Sequence, residues 1–486
     1  LASPTDDAAA DAAAAEALGG SGPYRPVPDV DVAPAAGAVA PTESFAERHP
    51  LSNPSFVGYV STQFLGAFND NLFKQLMLLL ALPTAAAVAV DQADQGGDLQ
   101  GVATMVFGLP FVIFGGLAGY LADRFSKRRV IVLSKVAEIV VMSLGLLAFL
   151  AAPQIGFSGL WIVMFLMGTQ SAFFGPGKYG ILPEMLRSSQ LARANGIVMM
   201  TTFMAIIFGT GAAGPIKDWF TPDGVSRLEA ARSLWVASCV CIVVAVVGTF
   251  VSLWIRPVKA AAPGLGFRPE YLFVPRPMRG LLRRDRPLVG ALLASCAFWL
   301  IAGLTIQAVN SLCGTQLQMS NTATSWMVSL ISIGIAVGGL LAGWLSRYWG
   351  DRRVLRIGMW GVVAGCVLLS ITLPDGRLLV GRGGLPIVLM LLGAAAAMFS
   401  IPIQVFLQAR PPAELKGRMI AVMNQANFFA IVLSGAVYIG LDQLIVAMDW
   451  PRSALFAAMA AIFLPVAICY RLDPLAPIEP SPVATT

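Results

Sequence analysis

Between Phe56 and Tyr470 the apolar residues of this chain gather into runs of about 20, each broken by a short polar stretch. That is the length a helix needs to cross the hydrocarbon of a bilayer, where every backbone N–H and C=O must find its partner within the segment. The runs predict twelve spans, at residues 56–82, 100–121, 130–151, 158–176, 194–215, 233–255, 288–313, 323–345, 354–373, 384–408, 419–441 and 453–470. The expected fold class is an all-α polytopic membrane protein.

The connections between runs differ in charge. Those after even-numbered spans carry Arg124, Lys127, Arg128 and Arg129, then Lys178, Arg187 and Arg193, then Arg347, Arg352, Arg353 and Arg356, then Arg410, Lys416 and Arg418. On the opposite side, residues 83–99 hold only Asp91, Asp94 and Asp98, and residues 152–159 and 314–322 hold no charge. Lysine and arginine are retained on the cytoplasmic side of a membrane, so the basic connections and both termini are expected there. The longest connection, residues 256–287, is a basic linker that separates residues 51–255 from residues 288–472, six spans on each side. Outside them lie a short C-terminal tail, residues 473–486, and an Ala-, Pro- and Asp-rich stretch, residues 1–50. The latter has no run suited to a signal peptide and reads as disordered. Features also recur about 224 to 225 positions apart: Gly119, Arg128 and Arg129 return as Gly343, Arg352 and Arg353, and Arg193 returns as Arg418. Two parallel six-helix halves related by an axis along the membrane normal would produce such a repeat, an arrangement found in one large class of secondary transporters.

Composition agrees with a lipid solvent and narrows the chemistry. Hydrophobic residues make up 57% and charged residues 12% of the chain, about half the charged share of a soluble domain; mean hydropathy is +0.73. The 48 glycines suit close helix packing in a membrane. Cys239, Cys241, Cys296, Cys313, Cys366 and Cys469 lie in or against apolar runs without metal-ligand spacing or histidine neighbours, so they read as small buried hydrophobes. The net charge of +6 is spread over span ends, which fits topology and gives no reason to expect a nucleic-acid partner. No metal or cofactor is expected.

Ionisable groups inside a span are costly, about 2.5–3.5 kcal/mol each at the centre on insertion scales, and therefore mark candidates for function. In the first span Gln63, Asp70 and Lys74 sit at offsets of 7 and 11, close to one helical face, with Asp70 and Lys74 as i,i+4 partners. They either line a cavity or dock the helix by an ion pair. Asn69 and Asn71 either join them or act as interhelical hydrogen-bonding groups. After the second span, in GYLADRFSKRR, Gly119 would permit close helix contact. Asp123, Arg124, Lys127 and Arg128 could latch one conformation through helix ends or lipid phosphates, or serve only to fix topology. At the end of the fourth span Pro176, between Gly175 and Gly177, is expected to stop the helix and present Lys178, Tyr179 and Glu184 as headgroup contacts, gate or interfacial anchors. Arg193 and Arg418, at the entrances to the fifth and eleventh spans, join the latch set. In the second half Gln307, Asn310, Gln404, Gln408, Asn424 and Asn427 are uncharged polar groups within spans, either lining a cavity opposite Asp70 or packing.

GYLADRFSKRR resembles the signature of the major facilitator superfamily between its second and third spans, although Ser126 stands where the family usually has glycine and Arg347 takes the aspartate place in the second copy. Three further segments, QFLGAFNDNLFKQ (Gln63–Gln75), FFGPGKYGILPE (Phe173–Glu184) and KGRMIAVMNQANF (Lys416–Phe428), are similar to the bacterial lysophospholipid transporter branch of that superfamily. The resemblance implies a monomeric flippase of the cytoplasmic, or inner, membrane. It would move lysophospholipid such as lysophosphatidylethanolamine from the outer to the inner leaflet by alternating access, among membrane lipids. It also implies a reacylating acyltransferase and acyl carrier protein synthetase, sometimes fused to the transporter. Here His49, the single histidine, is not followed by the Asp such an acyltransferase needs about five residues on, and the stretch after Arg471 is short. The enzyme is therefore expected as a separate partner. The alternative on the same fold is a proton-coupled transporter of small hydrophilic or drug-like molecules.

Overall fold

The structure, a computed structural model, describes residues 51, 53–83, 97–186, 188–266, 276–374, 377–412 and 415–472. The expected tails at 1–50 and 473–486 lie outside the described residues. Among the described residues twelve long helices run in chain order: α1 Pro54–Ala81, α2 Gln100–Arg124, α3 Lys127–Leu150, α4 Ser158–Gly180, α5 Ser188–Phe220, α6 Trp235–Ser252, α7 Arg286–Ser311, α8 Asn321–Trp349, α9 Asp351–Ser370, α10 Gly381–Ala409, α11 Lys416–Ala447 and α12 Ala454–Cys469. Ten of them are long and apolar enough to cross a membrane. Of the other two, α1 carries Asp70 and Lys74, and α12 is an apolar helix of 16 residues.

Polar residues set where these helices start. Asn53 accepts a hydrogen bond from Ser55 N at 3.0 Å at the head of α1, and Ser320 accepts one from Ala323 N at 3.1 Å at the head of α8. Asp285 caps α7 through Leu288 N at 3.1 Å and also receives Arg410 Nε at 2.8 Å, tying the start of α7 to the end of α10. The helices overrun the apolar runs most in α5, α8 and α11, of 33, 29 and 32 residues, because a helix outlasts the hydrocarbon wherever its ends are satisfied. One expectation fails. Pro176 does not end the fourth span; α4 passes through it to Gly180. A proline costs one intrahelical bond, here to the carbonyl of Ala172, a loss that membrane helices tolerate; separately, beyond the proline, Tyr59 of α1 donates its hydroxyl to Lys178 O at 2.6 Å within the last turn.

Buried apolar residues of α1–α6 form two clusters, around Leu76, Phe149 and Met164 and around Tyr59, Ile131 and Leu182; those of α7–α12 form a large cluster around Phe298, Phe399 and Phe463 and a small one of Ala342, Val354 and Met398. Large apolar side chains such as Leu133, Phe250, Leu293 and Leu340 point outward, as lipid-facing positions require. Small residues bring backbones together where helices cross. A Cβ built on Gly338 of α8 would lie 2.3 Å from Ala394 O of α10, and one on Gly393 would lie 2.2 Å from Ile331 O. The same test corrects the reading of Gly119: nothing stands within 4 Å of its Cβ position, nor of Gly343. Neither glycine makes a close helix contact in this conformation.

The two sets of six helices meet mainly through α5 with α8 and α2 with α11. Hydrogen bonds between them involve Gln75, Asp98, Gln100 and Asp218 on one side and Asn310, Asn321, Thr322 and Tyr438 on the other. All of these lie toward the helix ends remote from the basic connections. Near mid-depth Gln425 Nε2 still reaches Val112 O at 3.0 Å. At the basic ends the described pairs Lys127–Glu184, Arg128–Leu253 and Asp285–Arg410 each stay within one set of six. The molecule is thus clasped at the end remote from the basic connections.

Candidate functional site

Helix α1 presents its polar residues to several neighbours. Asp70 faces α4, where Ser171 Oγ donates to Oδ2 at 2.6 Å and Gln170 Nε2 lies 3.5 Å from Oδ1. Lys74, one turn further, lies with Nζ 5.6 Å from the centre of the Phe107 ring on α2, a cation–π contact. The Asp70–Lys74 ion pair that the i,i+4 spacing suggests does not form among the described residues, because the carboxylate is held by α4 and the ammonium by α2. Gln63 turns to α5 and donates to Thr202 Oγ1 at 3.0 Å, while Asn71 bonds back to Ala67 O at 2.7 Å on its own helix.

From Phe107 an aromatic run leaves the ionised groups. Phe107 and Phe111, one turn apart on α2, have centroids 5.6 Å apart, and Phe111 stacks on Phe428 of α11 at 3.8 Å with 4° between the planes. Phe114, on the next turn, meets Phe173 of α4 at 5.9 Å and Phe165 at 6.4 Å. The Asp70 carboxylate with its partners Ser171 and Gln170, and the Lys74 ammonium, therefore stand at the head of an apolar run that joins both sets of helices.

Asn69 faces the other way. Its amide donates to Glu138 Oε1 of α3 at 2.8 Å and to Cys241 O of α6 at 2.9 Å. Glu138 forms an ion pair with Lys135 one turn earlier, and both side chains are only 1% exposed. Space for the lysine comes from two glycines: a Cβ on Gly248 would lie 2.9 Å from Lys135 Cε, and one on Gly66 would lie 3.0 Å from its Nζ. The sequence reading passed over this pair, although two ionisable residues inside the run at 130–151 were signal enough.

A second polar centre closes the far end. Gln75 Nε2 donates to Asn310 Oδ1 at 2.8 Å, Asn310 Nδ2 to Gln100 Oε1 at 3.0 Å, and Gln100 Nε2 to Asp98 Oδ2 at 2.9 Å. Tyr438 of α11 donates to the same carboxylate oxygen at 2.6 Å. Burial pushes the Asp98 carboxyl up to about 6, and nearby Asp442, paired with Arg452, adds to that, against the lowering pull of Tyr438 and Gln100. Beside it Asp218 of α5 receives Asn321 Nδ2 at 2.7 Å and Thr322 Oγ1 and N at 2.6 and 2.8 Å, gripping the start of α8. Of this centre the sequence singles out only Gln307 and Asn310 as candidate site residues, with Asp98 counted there as a connection charge. Gln307 is buried and bonds to Gly303 O at 3.1 Å on its own helix.

The remaining candidates are scattered. Asn427 is buried and accepts from Ser295 Oγ at 2.8 Å, whereas Gln404, Gln408 and Asn424 have no hydrogen-bond partner among the described residues. At the basic end Lys127 pairs with Glu184, Arg124 bonds to Tyr120, and Arg128 Nη2 reaches Leu253 O at 3.2 Å. Asp123, Arg193 and Arg418 are exposed. Lys178 contributes its carbonyl to Tyr59, and the side chain of Tyr179 lies outside the described residues.

The sequence model of the Major Facilitator Superfamily matches residues 60–435, with a second match over 308–484. The lysophospholipid transporter LplT of Yersinia pestis (strain Pestoides F) is 28% identical over 415 residues, covering 83% of this chain and 89% of that protein. LplT of Yersinia pseudotuberculosis serotype O:3 (strain YPIII) matches equally. Among solved structures, a POT family transporter aligns with a TM-score of 0.61 at 14% identity over 84% of this chain and 94% of its own. The nucleoside transporter NupG aligns with a TM-score of 0.58 at 12% identity over 85% and 97%. These structures share the fold.

Proposed function

As this chain belongs to the Major Facilitator Superfamily, and is thus a multi-pass membrane transporter, we propose that its cargo is a lysophospholipid such as lysophosphatidylethanolamine. It would be carried from the outer to the inner leaflet of the cytoplasmic membrane by alternating access. The observation that carries this reading is the continuity of Asp70 and Lys74 with the aromatic run through Phe107, Phe111 and Phe428. A zwitterionic headgroup has an ammonium for the Asp70 carboxylate and a phosphate for the Lys74 ammonium, while a single acyl chain can follow the rings. The two charges stand apart, each available to one end of the headgroup. Similarity to transporters named for lysophospholipid supports the same cargo.

In this reading the basic connections face the cytoplasm, so the conformation is closed outside, with the interface between halves running out toward the inside. The headgroup would be released there, to a separate acyltransferase. Lys127–Glu184 and the other basic-end groups, including Arg193 and Arg418, would form the inner gate when the halves rock. The test is reconstitution into vesicles with fluorescent lysophosphatidylethanolamine in the outer leaflet. Protein-dependent loss of externally quenchable label is expected, and its absence would refute the cargo.

A second reading, a proton-coupled carrier of small hydrophilic molecules, draws on Asp70 being a half-buried carboxylate held by a hydroxyl. Flux that requires a pH gradient, and that ignores lysolipid, would favour it.

A further inference from the structure

On the second set of helices, away from the polar centres above, α8 turns into α9 at Gly350, whose φ of 76° belongs to the left-handed region that glycine adopts without strain. The turn sets Trp349 beside the first turns of α9. There Arg353, Arg356, Ile357 and Trp360 fall at i, i+3, i+4 and i+7, one face of a helix. The arginines stand at the basic end and the apolar pair deeper, so charge gives way to hydrocarbon-like surface within about 10 Å of helix. Two adjoining hollows flank this face. One, of about 810 Å³, runs from Arg352, Arg353 and Arg356 to Val405 and Phe406 of α10; the other, of about 570 Å³, is bounded by Ile357 and Trp360; Trp349, Arg353 and Arg356 belong to both. One carboxylate, Asp351, lies on the wall of the first, against three guanidinium groups. Arg352 is engaged, its Nε donating to Leu472 O at 2.8 Å. Arg353 and Arg356 are exposed and have no hydrogen-bond or ion-pair partner among the described residues.

We propose that Arg353 and Arg356 bind the phosphate of an anionic diacyl phospholipid of the phosphatidylglycerol type, with its chains against the apolar walls of the two hollows. Guanidinium groups suit phosphate oxygens because their donors are arranged as a planar fork. Trp349 and Trp360 are half-exposed at the depth where such rings sit between headgroup and hydrocarbon. A free phosphate would use the arginines and leave the apolar face unexplained, whereas a lipid uses both. The site lies apart from Asp70, so it is a resident lipid site whatever the transported cargo.

The test is native mass spectrometry of the full chain in detergent with equal amounts of phosphatidylglycerol and phosphatidylcholine. The wild type should retain one phosphatidylglycerol in preference. Arg353→Gln/Arg356→Gln should lose that preference by roughly thirtyfold, the weight of two arginines at a lipid surface, and Arg356→Gln alone by roughly fivefold. The single variant carries the test if the double variant does not fold. Arg283→Gln/Arg284→Gln, which removes two exposed charges elsewhere, should retain the wild-type adduct. Equal retention of the two lipids by the wild type, undiminished preference in the arginine variants, or an equal loss in the control would overturn the proposal. So would displacement by inorganic phosphate. A preference seen only in a chain shortened to end at Leu472 would make the following residues, with Asp473 and Glu479, the occupant instead.

Discussion

Asp70 is anchored by one short hydroxyl bond and one long amide contact, so Asp70→Asn should keep its neighbours while losing the charge a headgroup ammonium would meet. We expect lysolipid flux to fall at least about tenfold, one charge-assisted bond's worth, with an unchanged elution profile on size exclusion. The Lys135–Glu138 pair answers to different physics. Lys135→Ala strands a carboxylate in a space that is 1% exposed, a change that costs about 3–5 kcal/mol when one partner of a buried ion pair is removed. Lys135→Met with Glu138→Gln should recover most of that loss, and the midpoint of thermal unfolding in detergent distinguishes the two. Asp70 and Lys74 were legible in the sequence because each interrupts an apolar run on the same face. That they would part, one to Ser171 and one to Phe107, was not, since an i,i+4 spacing records only what is possible within one helix. Lys135 and Glu138 were equally visible as letters, but the glycines that make room for them belong to helices 69 and 113 positions away from Lys135, at Gly66 and Gly248.

At the level of helices, apolar run length located all twelve elements, because the bilayer leaves the backbone no alternative to an intrahelical bond. It missed their ends where polar residues continue a helix beyond the hydrocarbon, and it misjudged Pro176, since a membrane helix can run through a proline at the loss of one intrahelical bond. Contacts between helices were less legible still. Gly338 and Gly343 look alike in sequence, yet only the former touches a neighbouring backbone. Gly338→Val should therefore push α8 off α10 and sharply lower the folded yield, whereas Gly343→Val should leave it as in the wild type; fluorescence-detected size exclusion measures both.

For the molecule as a whole, the clasp at Gln75, Gln100, Asn310 and Tyr438 decides which end is shut. The repeat at 224 to 225 residues announced two halves, but no periodicity could reveal which of two closures the chain adopts, since alternate states share one sequence. If the halves rock, a disulfide linking Gln75→Cys to Asn310→Cys, in a background without the native cysteines, should cut flux more than about tenfold by holding one state, with recovery on reduction. Asp98 adds a pH dependence. Its carboxyl is raised to about 6 in the clasped form, so the protonated acid favours closure. That contribution is complete below the ordinary carboxylate range and is lost as pH rises through about 6. Thiol labelling at the clasped mouth should increase between pH 5 and pH 7, and Asp98→Asn should flatten the profile toward the closed level.

The Lys135–Glu138 pair also bears on biogenesis. A ribosome delivers α3 to the insertion machinery well before α6 exists, so the chamber completed by Gly248 is unfinished when these two residues enter the bilayer. Lone ions at that depth would each resist partitioning by about 2.5–3.5 kcal/mol. Placed one turn apart they neutralise one another in transit, and the helix can wait in lipid for the rest of its housing to be synthesised.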